Sequence, residues 1–222
     1  SNGGGMYNSS SSPTLTNCTF TNNSAISSGN GEGGGMYNYY SSPALTNCTF
    51  TNNSADYGGG MYNDSLSSPT LTDCTFTGNS ATYGGGMSNY TFSSPTLTNC
   101  AFTNNSANSG GGMYNSNSCS PTLTNCTFTS NSANGGGGML NFNASSPTLT
   151  NCTFTSNSVN NNGGGMVNAL NCSSTLTNCT FTSNSAGNFG GGMHNSSSSP
   201  TLTGCNFCGN TSTSGNRNIN GD

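Results

Sequence analysis

Thr14, Leu15 and Thr16 alternate polar with apolar, and Thr19, Phe20 and Thr21 do the same. A period of two marks short strands that turn the apolar residue inward and the threonines outward. A third apolar position follows each glycine run, as in Gly3-Gly4-Gly5-Met6. The pattern therefore predicts three short strands per unit: Thr14–Thr16, Cys18–Thr21 and Gly5–Asn8. No 3.6-residue period appears, and glycine is too frequent for helices.

The same unit returns along the whole chain. Cys18, Cys48, Cys74, Cys100, Cys126, Cys152, Cys179 and Cys205 recur about every 26 residues, in step with Met6, Met36, Met61, Met87, Met113, Met139, Met166 and Met193. The block from Leu15 to Asn23 keeps its length in every unit. Length varies only at two joints, such as Ile26–Glu32 and Asp64–Ser68. A rigid block with two elastic joints is what stacked coils with variable corners produce. A leucine-rich repeat would need several leucines per unit, and a propeller blade of ~40–45 residues would be longer.

The predicted fold is all-β: a parallel β-helix of about eight coils over residues 1–210. An irregular tail over 211–222 would serve as a weak cap. At ~4.8 Å per rung, eight coils make a rod of roughly 35–40 Å. The inward columns are Leu, Cys, Phe, Ala and Met. No unit could bury its apolar face alone, so stability must come from stacking neighbours. The Asn8 and Asn23 columns recur in every coil and are expected at the corners, hydrogen-bonded up and down the stack. The glycine runs supply the φ > 0 conformations where the chain turns.

Composition narrows the functional classes. Only 3% of residues are charged, with five acids, one Lys or Arg, and one His. A single cation, Arg217, leaves no footprint for nucleic acid and no polybasic patch for a membrane surface. No apolar stretch reaches the length of a membrane-spanning helix, so no membrane insertion is expected. No signal peptide is visible, and the chain opens inside a repeat, as a mature segment or a fragment of a longer protein would. The eight ladder cysteines are expected as free, buried thiols, because side chains pointing in parallel oppose bridging. Cys119 and Cys172 share another column, two coils apart. A straight column does not converge on a metal, so neither metal nor cofactor is expected.

Phe20-Thr21-Asn22-Asn23 fits F-x-x-N, and Phe50, Phe76, Phe102, Phe128, Phe154, Phe181 and Phe207 repeat it. Gly3-Gly4-Gly5-Met6 is a variant of G-G-A-[ILV], with Gly for Ala and Met for the aliphatic residue. Paired in register, these motifs resemble the polymorphic outer membrane protein repeats known from chlamydial surface adhesins. The resemblance runs from Gly3 to Asn210. It implies a right-handed parallel β-helix, exported to the cell surface and related in fold to pectate lyases. That family's autotransporter barrel has no counterpart in these residues.

Catalysis is not expected. Asp56 and Asp64 fall on different corners, Asp73 has no acid stacked on it, and Arg217 lies beyond the last full coil. No carboxylate pair for glycoside hydrolysis is predicted, and no acid falls in phase with His194. Two surfaces could carry function. Stacked threonines, beginning with Thr14, Thr16, Thr19 and Thr21, resemble the ice-binding faces of some antifreeze β-helices, yet Thr is also a good outward strand residue. The stripe Tyr7, Tyr37, Tyr62, Ser88, Tyr114, Leu140, Val167 and His194 is expected on the outer surface. There it would anchor partners or sugars, or only cover a groove. Asn-Cys-Thr sequons at Asn17, Asn47, Asn125, Asn151 and Asn178 are candidate glycosylation sites, about as frequent as this composition gives by chance.

The expected function is an extracellular or cell-surface rod, structural or adhesive. Its partners would be copies of itself, stacked end to end or as further coils of a parent chain, and host-surface or glycan ligands. An ice-binding protein is the alternative, and a polysaccharide lyase or hydrolase without an evident site is third.

Overall fold

The computed structural model describes residues 2–26 and 30–220. Ser27–Gly29 of the Ile26–Glu32 corner and the end of the tail, with Asp222, lie outside the described residues. Every strand pairs in parallel with its counterpart one coil away. Each coil contributes four strands, not three. In the fourth coil these are Met87–Tyr90, Thr96–Thr98, Ala101–Thr103 and Ser106–Ser109. They build four sheets, named below the Met, Leu, Phe and Ala sheets after a recurring residue. The Met sheet has nine strands and the others eight each. Sequence reasoning missed the Ala sheet because its strands are mostly two residues long, as in Ser24–Ala25, too short to show alternation.

Register follows residue identity. Leu71 pairs with Leu45 and Leu97, Phe76 with Phe50 and Phe102, and Met87 with Met61 and Met113. A one-residue slip would turn the apolar column outward, so the alternation locks each coil on the next. The interior is one continuous cluster of Leu, Cys, Phe and Met. Neighbouring Phe50 and Phe76 rings stack at 4.7 Å and 3°, and the other Phe pairs do likewise. The Cys Sγ atoms donate to backbone carbonyls, as Cys100 does to Thr98 at 3.4 Å and Leu71 at 3.7 Å. All eleven cysteines are free.

Three expectations need correction. The Ala column does not join the main core. Ala133, Val159 and Ala186 form a separate small cluster, and Ala107, Ala133 and Val159 line a shallow groove with Ser132 and Ser158. A polar column closes the interior instead. The Asn105 Nδ2 donates to Phe76 O at 2.9 Å and to Asn131 Oδ1 at 3.0 Å, and Asn53, Asn79 and Asn157 repeat the arrangement. Nor does the Asn8 column occupy a corner, whereas the Asn23 column does, between Thr19–Thr21 and Ser24–Ala25, with its amides turned inward. Asn38, Asn63 and Asn89 are wholly buried mid-strand, joined by Nδ2-to-Oδ1 bonds of 2.8 Å. Left-handed backbone falls at the corners of the Asn17 and Asn22 columns, for example Asn17 at φ 57° and Asn104 at φ 55°, and at the corner after each Met strand, as at Ser10 with φ 49°.

The tail also departs from the irregular cap. Thr211–Ser212 and Ile219–Asn220 add strands to the Ala and Met sheets. Gly190, Gly192 and Met193 donate to the carbonyls of Asn216, Arg217 and Asn218. The tail thus continues the ladders into a partial ninth coil.

Two of the three glycines before each methionine show separate reasons. Gly84 turns the corner at φ +67°. Gly86 lies so close to the next rung that a Cβ there would stand 2.6 Å from Gly112 O and 2.7 Å from the Phe102 ring. Only glycine fits that close approach.

Candidate functional site

The outer side of the Met sheet carries the densest departure from simple stacking. Met6 and Asn8 turn inward, so the residue between them faces out. Tyr7 is 47% exposed there, as expected. Tyr37, Tyr62 and Tyr114 are not: they retain 4%, 4% and 8% exposure. Their cover comes from two sources. Tyr7, Tyr37 and Tyr62 stack along the axis at 5.1 and 5.2 Å. Tyr57 and Tyr83, from the joint leading to the glycines, stack on each other at 5.1 Å and lean across them. Tyr57 lies 5.6 Å from Tyr62, and Tyr83 lies 5.3 Å from Tyr114. Further along the stripe Val167 is buried, while Leu140 and His194 are half-buried.

The fourth coil breaks the stripe. Ser88 pairs in register with Tyr62 and Tyr114. Its hydroxyl is buried and has no hydrogen-bond partner among the described residues. Beside this break Tyr57, Tyr83, Tyr90, Tyr114, Ser116, Asn117 and Phe142 line a cleft of about 190 Å³.

Acids that looked scattered along the chain meet the tyrosines at the Tyr37, Tyr57 and Tyr62 rungs. The Tyr37 hydroxyl donates to Glu32, whose carboxyl is held above the usual value near 4.5 by burial first and by Asp64 second. Burial, followed by the charges of Asp64 and Glu32, pushes the Tyr62 hydroxyl far up, so it stays protonated. Burial also raises Tyr57, with Asp56 and Glu32 adding to the effect. The Asp56 carboxylate accepts from Gly31 N at 2.6 Å, and Asp64 from Ser65 N at 2.7 Å. Sequence reasoning missed this grouping because Glu32 and Asp64 sit in different units. Glu32 and Tyr57 do form one bridge column with Asn2 and Tyr83.

The other candidate residues stay where alternation puts them. Thr14 and Thr16 are exposed on the Leu sheet, and Thr19 and Thr21 on the Phe sheet. Thr49 Oγ1 donates to Thr19 Oγ1 at 3.2 Å. Ala44, Ala101, Asn206 and Cys208 interrupt the columns. Asn17, Asn47, Asn125, Asn151 and Asn178 are exposed at the corner between the two sheets. They form a ladder of their own, with Asn47 Nδ2 donating to Asn17 Oδ1 at 2.7 Å. Cys119 stands in a buried serine column, where its sulfur accepts from Ser93 N at 3.2 Å as Ser67 Oγ does from Ser41 N at 2.9 Å. Burial pushes the Cys119 thiol up to about 12. Among the described residues no three His, Cys, Asp or Glu side chains are placed to hold a metal ion.

Comparison with known proteins agrees with the architecture. The right-handed beta helix region family matches residues 1–128 and again 70–220. A search of curated proteins gave no match, and neither did a search of solved structures. With both matches together spanning nearly the whole chain, this protein belongs to the right-handed β-helix family.

Proposed function

We propose that this chain is a stiff, non-catalytic rod of an extracellular, surface-displayed protein of the polymorphic outer membrane protein repeat type. One observation carries the reading: the recurring residues are taken up by stacking. Leu, Cys, Phe and Met fill the core, Asn links coil to coil, and Gly permits the close approach of successive turns. What remains variable is the corners, which suits a scaffold that presents different loops along its length. Copies stack end to end through strand edges, or the ladders run on into further coils of a parent chain. Electron microscopy of concentrated protein is expected to show rods of uniform cross-section and increasing length. Monodisperse short rods at every concentration would remove the self-assembly part of the reading.

A second reading rests on the outward threonines, held in register across both faces. In it the Thr-x-Thr arrays bind ice. Thermal hysteresis at millimolar protein supports it, and an inactive sample excludes it.

A further inference from the structure

The tyrosine cleft is not explained by a rod. All nine tyrosines fall between Tyr7 and Tyr114. Ring contacts join eight of them into one patch, and Tyr90 lines the cleft with Tyr57, Tyr83 and Tyr114. Scaffold coils do not need this: the last three coils keep the same ladders with Leu140, Val167 and His194 in the stripe.

We propose that the cleft lined by Tyr57, Tyr83, Tyr90 and Tyr114 binds a cationic side chain, arginine or lysine, presented by a partner polypeptide. Charge is the first argument. Glu32, Asp56 and Asp64 are three of the chain's five acids, and they act on the tyrosines of this patch. The single cation, Arg217, belongs to the partial ninth coil at the far end of the rod. Glu32 stands one rung from Tyr57 in the bridge column and Asp56 precedes Tyr57 in the chain, so acids border the Tyr57 end of the cleft. The Tyr57 and Tyr114 phenols, pushed above their ordinary value by burial, add hydroxyl acceptors and ring quadrupoles without adding charge of their own. Rings and carboxylates together select a cation.

Geometry is the second argument. The Tyr7, Tyr37 and Tyr62 rings cover one another at interplanar angles of 24°. Tyr83 and Tyr114 instead meet at 47°, so a wedge opens between them where the stripe loses a ring at Ser88. The Ser88 hydroxyl faces the same outer side as its neighbours Tyr62 and Tyr114, and it is buried with its hydrogen bonding unsatisfied. Ser116 and Asn117 add polar atoms to the lining, and Phe142 closes the far side with an apolar surface. A guanidinium brings several donors and a flat face to such a lining. A uronate polymer would be repelled by the carboxylates.

The test uses the whole chain and its own tyrosine emission, which no tryptophan obscures. The probes are a short capped arginine peptide, the same peptide with citrulline for arginine, and oligogalacturonate. The expected result is a saturable emission change with the arginine peptide only. It should weaken about tenfold in Glu32→Gln, be lost in Tyr83→Ala, and persist in Tyr83→Phe. Far-UV circular dichroism checks that each variant folds, and Glu32→Gln still decides the matter if Tyr83→Ala does not. Equal binding of the citrulline peptide overturns the proposal, as does saturation by oligogalacturonate or an arginine response unchanged in Glu32→Gln. None of these outcomes bears on the rod, which microscopy tests separately.

Discussion

At the scale of single residues, the buried asparagines carry the most weight. Asn105 Oδ1 accepts from both Asn79 N and Asn79 Nδ2, while its own Nδ2 donates to Phe76 O and Asn131 Oδ1. Asn105→Ala would leave several of these groups buried and unpaired. Each unpaired group costs about 1–3 kcal/mol, so a loss of roughly 3–5 kcal/mol is expected in urea denaturation. An exposed counterpart, Asn125→Ala, leaves no buried group unpaired but puts alanine at a left-handed corner of φ 55°, so a smaller loss of about 1 kcal/mol is expected. Glu32 gives a pH dependence of known sign. Its carboxyl is raised above 4.5 in the folded chain, so the native state holds that proton more tightly than the unfolded state. Folding is therefore penalised as pH rises from 4.5 through the folded value, and the penalty is absent well below 4.5. Glu32→Gln should melt higher than the parent at pH 7, with the difference vanishing near pH 3. A constant difference across that range would refute the assignment.

At the scale of elements, the close contact between successive glycine corners is the sharpest constraint. Gly86→Ala forces a Cβ against the next carbonyl and the Phe102 ring, with nowhere for backbone to retreat. A destabilisation of about 1–3 kcal/mol is expected from that overpacking. Gly135→Ala is the control. Its Cβ would meet nothing nearer than 3.9 Å, and thermal melting should be unchanged. The cysteine column gives a second element-scale expectation. Cys48 to Cys179 in the ladder are buried, Cys18 and Cys205 at its ends are half-buried, and Cys208 is exposed. Thiol titration of the folded protein should label Cys208 first and Cys18 and Cys205 slowly. The buried column should react only after denaturation.

At the scale of the whole molecule, stability is a sum over neighbours rather than a property of one closed core. Removing residues 75–100 joins Cys74 to Ala101, the same junction that Cys100 makes naturally. That deletion should fold, with a parallel-sheet signature by circular dichroism and a rod shorter by about 4.8 Å in small-angle scattering. Removing half a period should abolish folding, because the Leu and Phe columns would then face the wrong ladders. If both deletions fold equally well, the coil is not the unit of cooperation.

The sequence by itself determined the period, the parallel stacking, the inward Leu, Cys, Phe and Met columns and the outward threonines. Each follows from a strict alternation repeated in register, which is local information multiplied by the number of coils. It also showed that asparagines would form ladders, but not which of them turn the corners. Asn17 and Asn22 do so with left-handed backbone, Asn23 does so with its amide turned inward, and Asn8 lies mid-strand. Only the tertiary structure decided the fourth sheet, the exclusion of the Ala column from the main core, and the burial of Tyr37, Tyr62 and Tyr114. The reason is the same in each case. A two-residue strand has no period to read, and the cover over an outward ring comes from another joint of the coil. Glu32 and Asp64 reach the same tyrosines because the winding superposes positions that lie in different units. Winding, not spacing, assembles that patch.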